Sequence, residues 1–130
     1  MISRDPRALA AVFIGGAAGT LARALLAQGW PAVHGQWPWA TFTANVAGVA
    51  VLAAVLLTVH ERLPYRRLLL GTGLCGGLTT FSTVQVELVV MLRDREFALV
   101  ATYLTASLAA GLLAAHVVTR VVNIVREERE

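Results

Sequence analysis

At 130 residues the chain has the length of one domain, but 57% of it is hydrophobic and its mean hydropathy is +0.67, too apolar for a soluble core of this size to hide. The net charge of +3 rests on eleven basic residues, all arginine and most beside apolar runs, which argues for membrane topology signals and against nucleic-acid binding. A lone cysteine, Cys75, excludes an internal disulfide.

Met1 to Arg7 lacks the small-residue cleavage site of a secretory signal, so the first apolar run, about residues 8–30, is expected to remain as a helix. It is long enough to cross roughly 30 Å of hydrocarbon. Gly15 and Gly19 form a small-xxx-small face that lets another backbone approach closely. Arg23, one turn later, reads either as a side chain snorkelling to the interface or as a functional cation, drawing anions to a vestibule or tying subunits together. The link that follows, Trp30 to Trp39, holds three tryptophans and two prolines and no arginine, the composition of a short turn in the headgroup belt. His34 within it has no partner at metal-ligand spacing and reads as a surface polar residue.

The second crossing, about residues 40–59, carries Thr41, Thr43, Asn45 and Gly48 near its start. An asparagine in an apolar helix must find a partner, either a neighbouring helix or a permeating species. A charged link, His60 to Arg67 with Pro64 inside it, leads to the third crossing at about residues 68–92. Its midpoint is Gly73-Leu74-Cys75-Gly76-Gly77-Leu78-Thr79-Thr80-Phe81-Ser82-Thr83, with three glycines and four hydroxyl residues at a depth where hydrocarbon solvates neither polar groups nor free backbone. The string predicts a break in a membrane helix, used to hold or pass an ion. Gln85 and Glu87 follow within two turns of the polar end, where Glu87 is either buried or faces a water-filled entrance. After the turn Arg93-Asp94-Arg95-Glu96, the fourth crossing, about residues 97–122, places Tyr103, Ser107 and Gly111 at intervals of four, a polar stripe on one face. His116 reads as a packed or interfacial histidine and the tail from Arg126 as solvated. Gly71, Gly73 and Gly76 match the dinucleotide-binding glycine spacing, but without the strand and following acid that give the pattern meaning.

With four crossings, both termini and the link between the second and third share one side. That side holds Arg4, Arg7, Arg62, Arg66, Arg67, Arg120, Arg126 and Arg129, against Arg93 and Arg95 on the other. The positive-inside rule then puts the termini in the cytoplasm of a plasma-membrane protein.

Gly15-Gly16-x-x-Gly19-x-x-x-Arg23, Thr41-x-x-x-Asn45-x-x-Gly48 and above all Gly76-Gly77-x-Thr79-Thr80-Phe81-Ser82-Thr83 followed by Glu87 resemble the fluoride channels called Fluc or CrcB. The resemblance covers all four crossings, and the string in the third is its most specific part. It implies an all-α membrane protein with four transmembrane helices, the third broken at mid-membrane, paired as an antiparallel dimer. In that family a structural Na+ that is not transported sits at the dimer interface on backbone carbonyls, which fall here on Gly76 and Thr79. The fluoride pathway falls on Asn45, Phe81, Ser82, Thr83, Tyr103 and Ser107, with Arg23 and Glu87 as vestibule or structural residues. Such a protein is not an enzyme. It lets toxic cytoplasmic fluoride leave the cell passively through the bilayer and so confers fluoride resistance.

Two features depart from the family pattern. A second phenylalanine is expected three residues after Phe81, where this chain has Val84, which offers no aromatic edge. The arginine bias favours a single orientation, whereas a homodimeric member inserts both ways. Together they point to one half of a heterodimer with an oppositely oriented paralogue. Two other functions remain in view: a small proton-coupled multidrug exporter, which would want an acid in the first helix where Arg23 stands, and a non-transporting membrane scaffold, which would leave the polar string without a purpose.

Overall fold

Capping residues set where each helix begins and ends. The computed structural model describes residues 5–128. Helix α1, Pro6–Gly29, starts behind Asp5, whose Oδ1 accepts the Arg7 N–H at 2.9 Å, with Pro6 at the first position, where a missing N–H costs nothing. It stops at Trp30, just before Pro31. Helix α2, Trp39–Thr58, follows Pro38.

The third span, Pro64–Arg93, is not uniform. Its first part, α3, covers residues 64–78: one α-helical turn at Pro64–Arg67, a π-wound stretch at Leu68–Cys75, and a last turn at Gly76–Leu78. Thr79 (φ −78°, ψ 153°) and Thr80 (φ −147°, ψ 120°) are extended, and α4, Phe81–Arg93, begins after them. Arg95, at φ 61°, takes the chain round a tight turn into α5, Phe97–Glu127. At 31 residues α5 is about 46 Å long, well beyond a hydrocarbon core of about 30 Å, so it carries Arg120 and Arg126 past the apolar zone. Arg126 donates to the carbonyl of Leu57 in the last turn of α2, supplying one of the donors that a helix C-terminus lacks. All four spans are long and apolar enough to cross a membrane, and the described residues contain no strand.

Helix α1 packs on α3, and α2 packs on both α3 and α5. The α1–α3 contact is backbone on backbone. A Cβ added at Gly15 would overlap the Leu69 carbonyl and lie 2.8 Å from the Leu74 N. One at Gly19 would overlap the Leu74 carbonyl, and one at Gly77 the Gly16 carbonyl. The glycines of the third span were expected to loosen the helix. Gly76 instead keeps helical angles (φ −64°, ψ −35°), and Gly73 and Gly77 serve as the floor on which α1 lies. Only the two threonines leave helical geometry.

Few large side chains are buried, and Leu9, Phe13, Leu21, Leu25, Leu112 and Leu113 all point outward, as lipid or a partner helix permits. The two links of the arginine-poor side meet, with His34 Nδ1 3.8 Å from Asp94 Oδ2. Arg4 and Arg129 of the charge count lie outside the described residues.

Candidate functional site

Where the third span gives up helical hydrogen bonds, α2 supplies replacements. Asn45 Oδ1 accepts the Thr80 N–H at 2.8 Å, and Asn45 Nδ2 donates to the Thr80 carbonyl at 3.1 Å. One side-chain amide thus stands in for both missing backbone partners, leaving one Nδ2 hydrogen uncommitted. Thr80 in turn caps α4: its Oγ1 accepts the Thr83 N–H at 3.2 Å and donates to Thr83 Oγ1 at 2.9 Å, with Ser82 Oγ 3.4 Å away. The hydroxyls of Thr80, Ser82 and Thr83 form one cluster at the start of α4.

The end of α3 is closed from two directions. Thr79 returns both its N–H (3.0 Å) and its hydroxyl (2.8 Å) to the Cys75 carbonyl. Arg23 Nε, from α1, donates to the Gly77 carbonyl at 3.2 Å, a cation at the negative end of a helix. Within the chain, Arg23 thus joins α1 to the end of α3. Among the described residues no hydrogen-bond donor reaches the carbonyls of Gly76 or Thr79. Gly76 is exposed, and a Cβ built there would meet nothing within 4 Å, unlike those at Gly73 and Gly77.

Phe81, 78% exposed, projects from this same region. With Asn45, Thr72, Thr80 and Val84 it lines an open depression of roughly 700 Å³ between α2 and the third span. The depression thus gathers an aromatic ring, an amide and threonine hydroxyls in its lining, groups that can offer positive ring edges and polar hydrogens to an anion.

A second polar cluster lies further along α4. Glu87 accepts from Thr41 through Oε1 at 2.5 Å and from the Tyr103 hydroxyl through Oε2 at 2.8 Å, joining α2, α4 and α5. Tyr103 is fully buried in the chain, with Trp37 edge-on to its ring at 5.4 Å. Its hydroxyl hydrogen is committed to Glu87. Ser107, one turn further along α5, is half-buried and has no hydrogen bond to another helix among the described residues.

Asn45, Phe81, Ser82 and Thr83 are thus gathered at one place, while Tyr103 belongs with Glu87 and Thr41 and Ser107 with neither group. Sequence reasoning named Thr80 and Gly48 within its motifs but gave neither a role of its own. Both carried a signal: Thr80 stands three residues before Thr83, the spacing of an N-cap, and Gly48 lies one turn from Asn45 on the same face of α2.

Residues 10–119 match the family model described as CrcB-like protein, Camphor Resistance (CrcB). The chain is 53% identical over 135 residues to a Mycolicibacterium paratuberculosis protein named Fluoride-specific ion channel FluC 1, covering 99% of this chain and 100% of the relative. A Mycobacterium bovis protein of the same name is 50% identical over 132 residues, covering 99% and 100%. One from Cutibacterium acnes, again of that name, is 39% identical over 135 residues, covering 98% and 94%. Four membrane-length helices and a match running nearly end to end make this chain a member of the CrcB family, a multi-pass membrane protein.

Proposed function

We propose that the chain is a subunit of a fluoride-specific channel that lets cytoplasmic fluoride leave the cell down its gradient. The observation that carries this reading is the 53% identity, over 99% of the chain, to a protein named as a fluoride-specific channel. The local chemistry agrees with it. Fluoride must shed water to cross a narrow path, and Phe81, Ser82, Thr83 and the spare amide hydrogen of Asn45 are the kinds of group that replace water around a small anion. Tyr103 and Ser107 would continue that path along α5, with Tyr103 reaching an ion only by exchanging its bond to Glu87. Glu87 and Arg23 act here through the groups they hold in place.

The working assembly in this reading is an antiparallel dimer, with the third helix broken at the middle of the membrane. A structural Na+ would sit between the subunits on the Gly76 and Thr79 carbonyls, which are hard oxygens with no competing donor, and Gly76 has open space where a second backbone would come. The ion would supply fixed positive charge there without itself crossing. Val84 and the arginine bias favour a heterodimer with an oppositely inserted paralogue, with this chain's termini in the cytoplasm. Orientation mapping by cysteine accessibility tests the last point, and comparable labelling from both sides would remove it.

Efflux from fluoride-loaded liposomes, with chloride as the control ion, tests the function, using this chain alone and then with its paralogue. The expected result is rapid fluoride release, negligible chloride release and loss of flux on Phe81→Ala. A scaffold would release nothing in either format. A proton-coupled exporter would need a pH gradient and would move organic cations.

A further inference from the structure

We propose that Gly48 is a positioning residue, and that the side chain it lacks allows Thr79 to settle on α2 with its backbone correctly aimed. The consequence for transport rests on the channel reading above; the structural argument does not. A Cβ added at Gly48 would overlap Thr79 Cγ2, with Thr79 Cβ at 3.7 Å and Leu78 Cδ2 at 4.0 Å. A methyl at the end of a side chain can usually turn aside, but this one is tied through its own hydroxyl and through the residues on either side.

Threonine is branched at Cβ and stiff about χ1. Rotating it would take Oγ1 away from the Cys75 carbonyl, which it reaches at 2.8 Å. Among the described residues the chain offers that hydroxyl no second acceptor. Nor can the backbone slide. Thr80, the next residue, is held at both its N–H and its carbonyl by Asn45, one turn from Gly48 on the same helix face. Leu78, the residue before, is buried at the α1 seam, where its N lies 2.7 Å from a Cβ position on Gly19. Thr79 is therefore fixed between two anchored neighbours, and its methyl fits into the notch that Gly48 leaves.

Alanine at 48 forces one of two changes. Either the Thr79 hydroxyl leaves Cys75, or the Thr79 peptide rotates and turns its free carbonyl away. Removing the methyl should undo the damage, because serine at 79 keeps the hydroxyl and loses only Cγ2. The test is a cycle of four proteins, wild type, Gly48→Ala, Thr79→Ser and the double variant, each assembled as the wild type is and assayed for fluoride efflux from liposomes. We expect Gly48→Ala to lose about tenfold in flux against wild type, the size of coupling found for residues in contact, while the same substitution made on Thr79→Ser, with that variant's own flux as its reference, loses less than about twofold.

Wild-type flux in Gly48→Ala would overturn the proposal. So would a double variant no better than Gly48→Ala. If Gly48→Ala does not fold, the double variant decides alone: recovery of folded, conducting protein supports the notch, and its absence refutes it. If the wild type itself passes no fluoride, the channel reading fails, and the proposal is judged on thermal midpoints in detergent. Gly48→Ala should then melt earlier and the double variant should recover; additive effects would refute it.

Discussion

The two faces of the third span are held by opposite means. On one, Gly15 and Gly19 of α1 lie directly on the backbone of α3 around Gly73 and Gly77, and Arg23 reaches across where α3 ends. On the other, α2 and α5 reach it through polar side chains, Asn45 to Thr80 and Thr41 and Tyr103 to Glu87. Between membrane helices there is little hydrophobic drive, so close packing and hydrogen bonds must hold them together. The division follows the backbone. Where α3 satisfies its own hydrogen bonds, contact alone suffices; where its last carbonyls fall free at Gly77, and where Thr79 and Thr80 leave the helix, a neighbour supplies partners.

The largest effect should come from filling the glycine seam. Gly77→Val places a Cβ against the Gly16 carbonyl and within 3.0 Å of the Thr20 N, backbone atoms that cannot rotate aside. We expect destabilisation of about 3 kcal/mol and loss of the monodisperse peak on size exclusion. Gly16→Ala is the contrast, because its nearest obstacle is the Gly73 carbonyl at 3.9 Å, and its stability should stay within about 1 kcal/mol of wild type. Equal behaviour of the two variants would show that the seam is not backbone packing.

The polar side breaks next. Glu87→Ala strands the Thr41 and Tyr103 hydroxyls together, for an expected loss of about 2 kcal/mol in thermal or denaturant unfolding. Adding Thr41→Val and Tyr103→Phe should return part of that loss, since removing all the partners leaves nothing unpaired. No recovery would mean that Glu87 acts otherwise than through these hydroxyls. Asn45→Ala exposes one N–H and one carbonyl on Thr80 and should cost about 1–2 kcal/mol. Asn45→Asp sharpens the point: it keeps an acceptor for the Thr80 N–H but sets an oxygen against the Thr80 carbonyl. It should therefore be no better than alanine, and a stable Asn45→Asp protein would argue against the two-point clamp.

The apolar runs were enough to mark four crossings without strands, because a lipid-facing helix writes its length directly into composition. The helix starts were less legible: the apolar runs put them at about residues 8 and 68, whereas the helices begin at Pro6 and Pro64, each at a first position where a proline is tolerated. The behaviour of the glycine string was not legible. Gly73, Gly76 and Gly77 are poor helix formers in isolation, but tertiary packing overrides propensity, and α1 needs bare backbone beneath it. Asn45 was open between gluing helices and meeting an ion, since an amide does either, and only its distance to Thr80 shows the bond it makes. Tyr103 and Ser107 share a stripe in sequence, yet among the described residues Glu87 of α4 bonds the first and no other helix bonds the second, which no period along α5 reveals.

The smallest effect lies where the α1–α3 contact runs out at its N-terminal end. The Tyr65 hydroxyl donates to Asp5 Oδ2 at 2.7 Å, and that bond, ahead of the one from the Arg7 N–H, holds the Asp5 carboxyl below its ordinary value of 3.8. A depressed carboxylate stabilises the fold above its unfolded value and loses that contribution as pH falls through the lower folded value, so the tie is intact at neutral pH. Tyr65→Phe should move the Asp5 titration, followed by NMR at the Arg7 amide, up toward the ordinary value, with only the small fall in neutral-pH thermal midpoint that this shift entails. An unmoved titration would mean that the Arg7 N–H alone sets it. A fall as large as that of Glu87→Ala would mean that this exposed hydroxyl matters as the buried ones do. The contrast with Tyr103 then isolates the medium: each tyrosine gives one hydrogen to one carboxyl group, but only the first has water to take its place.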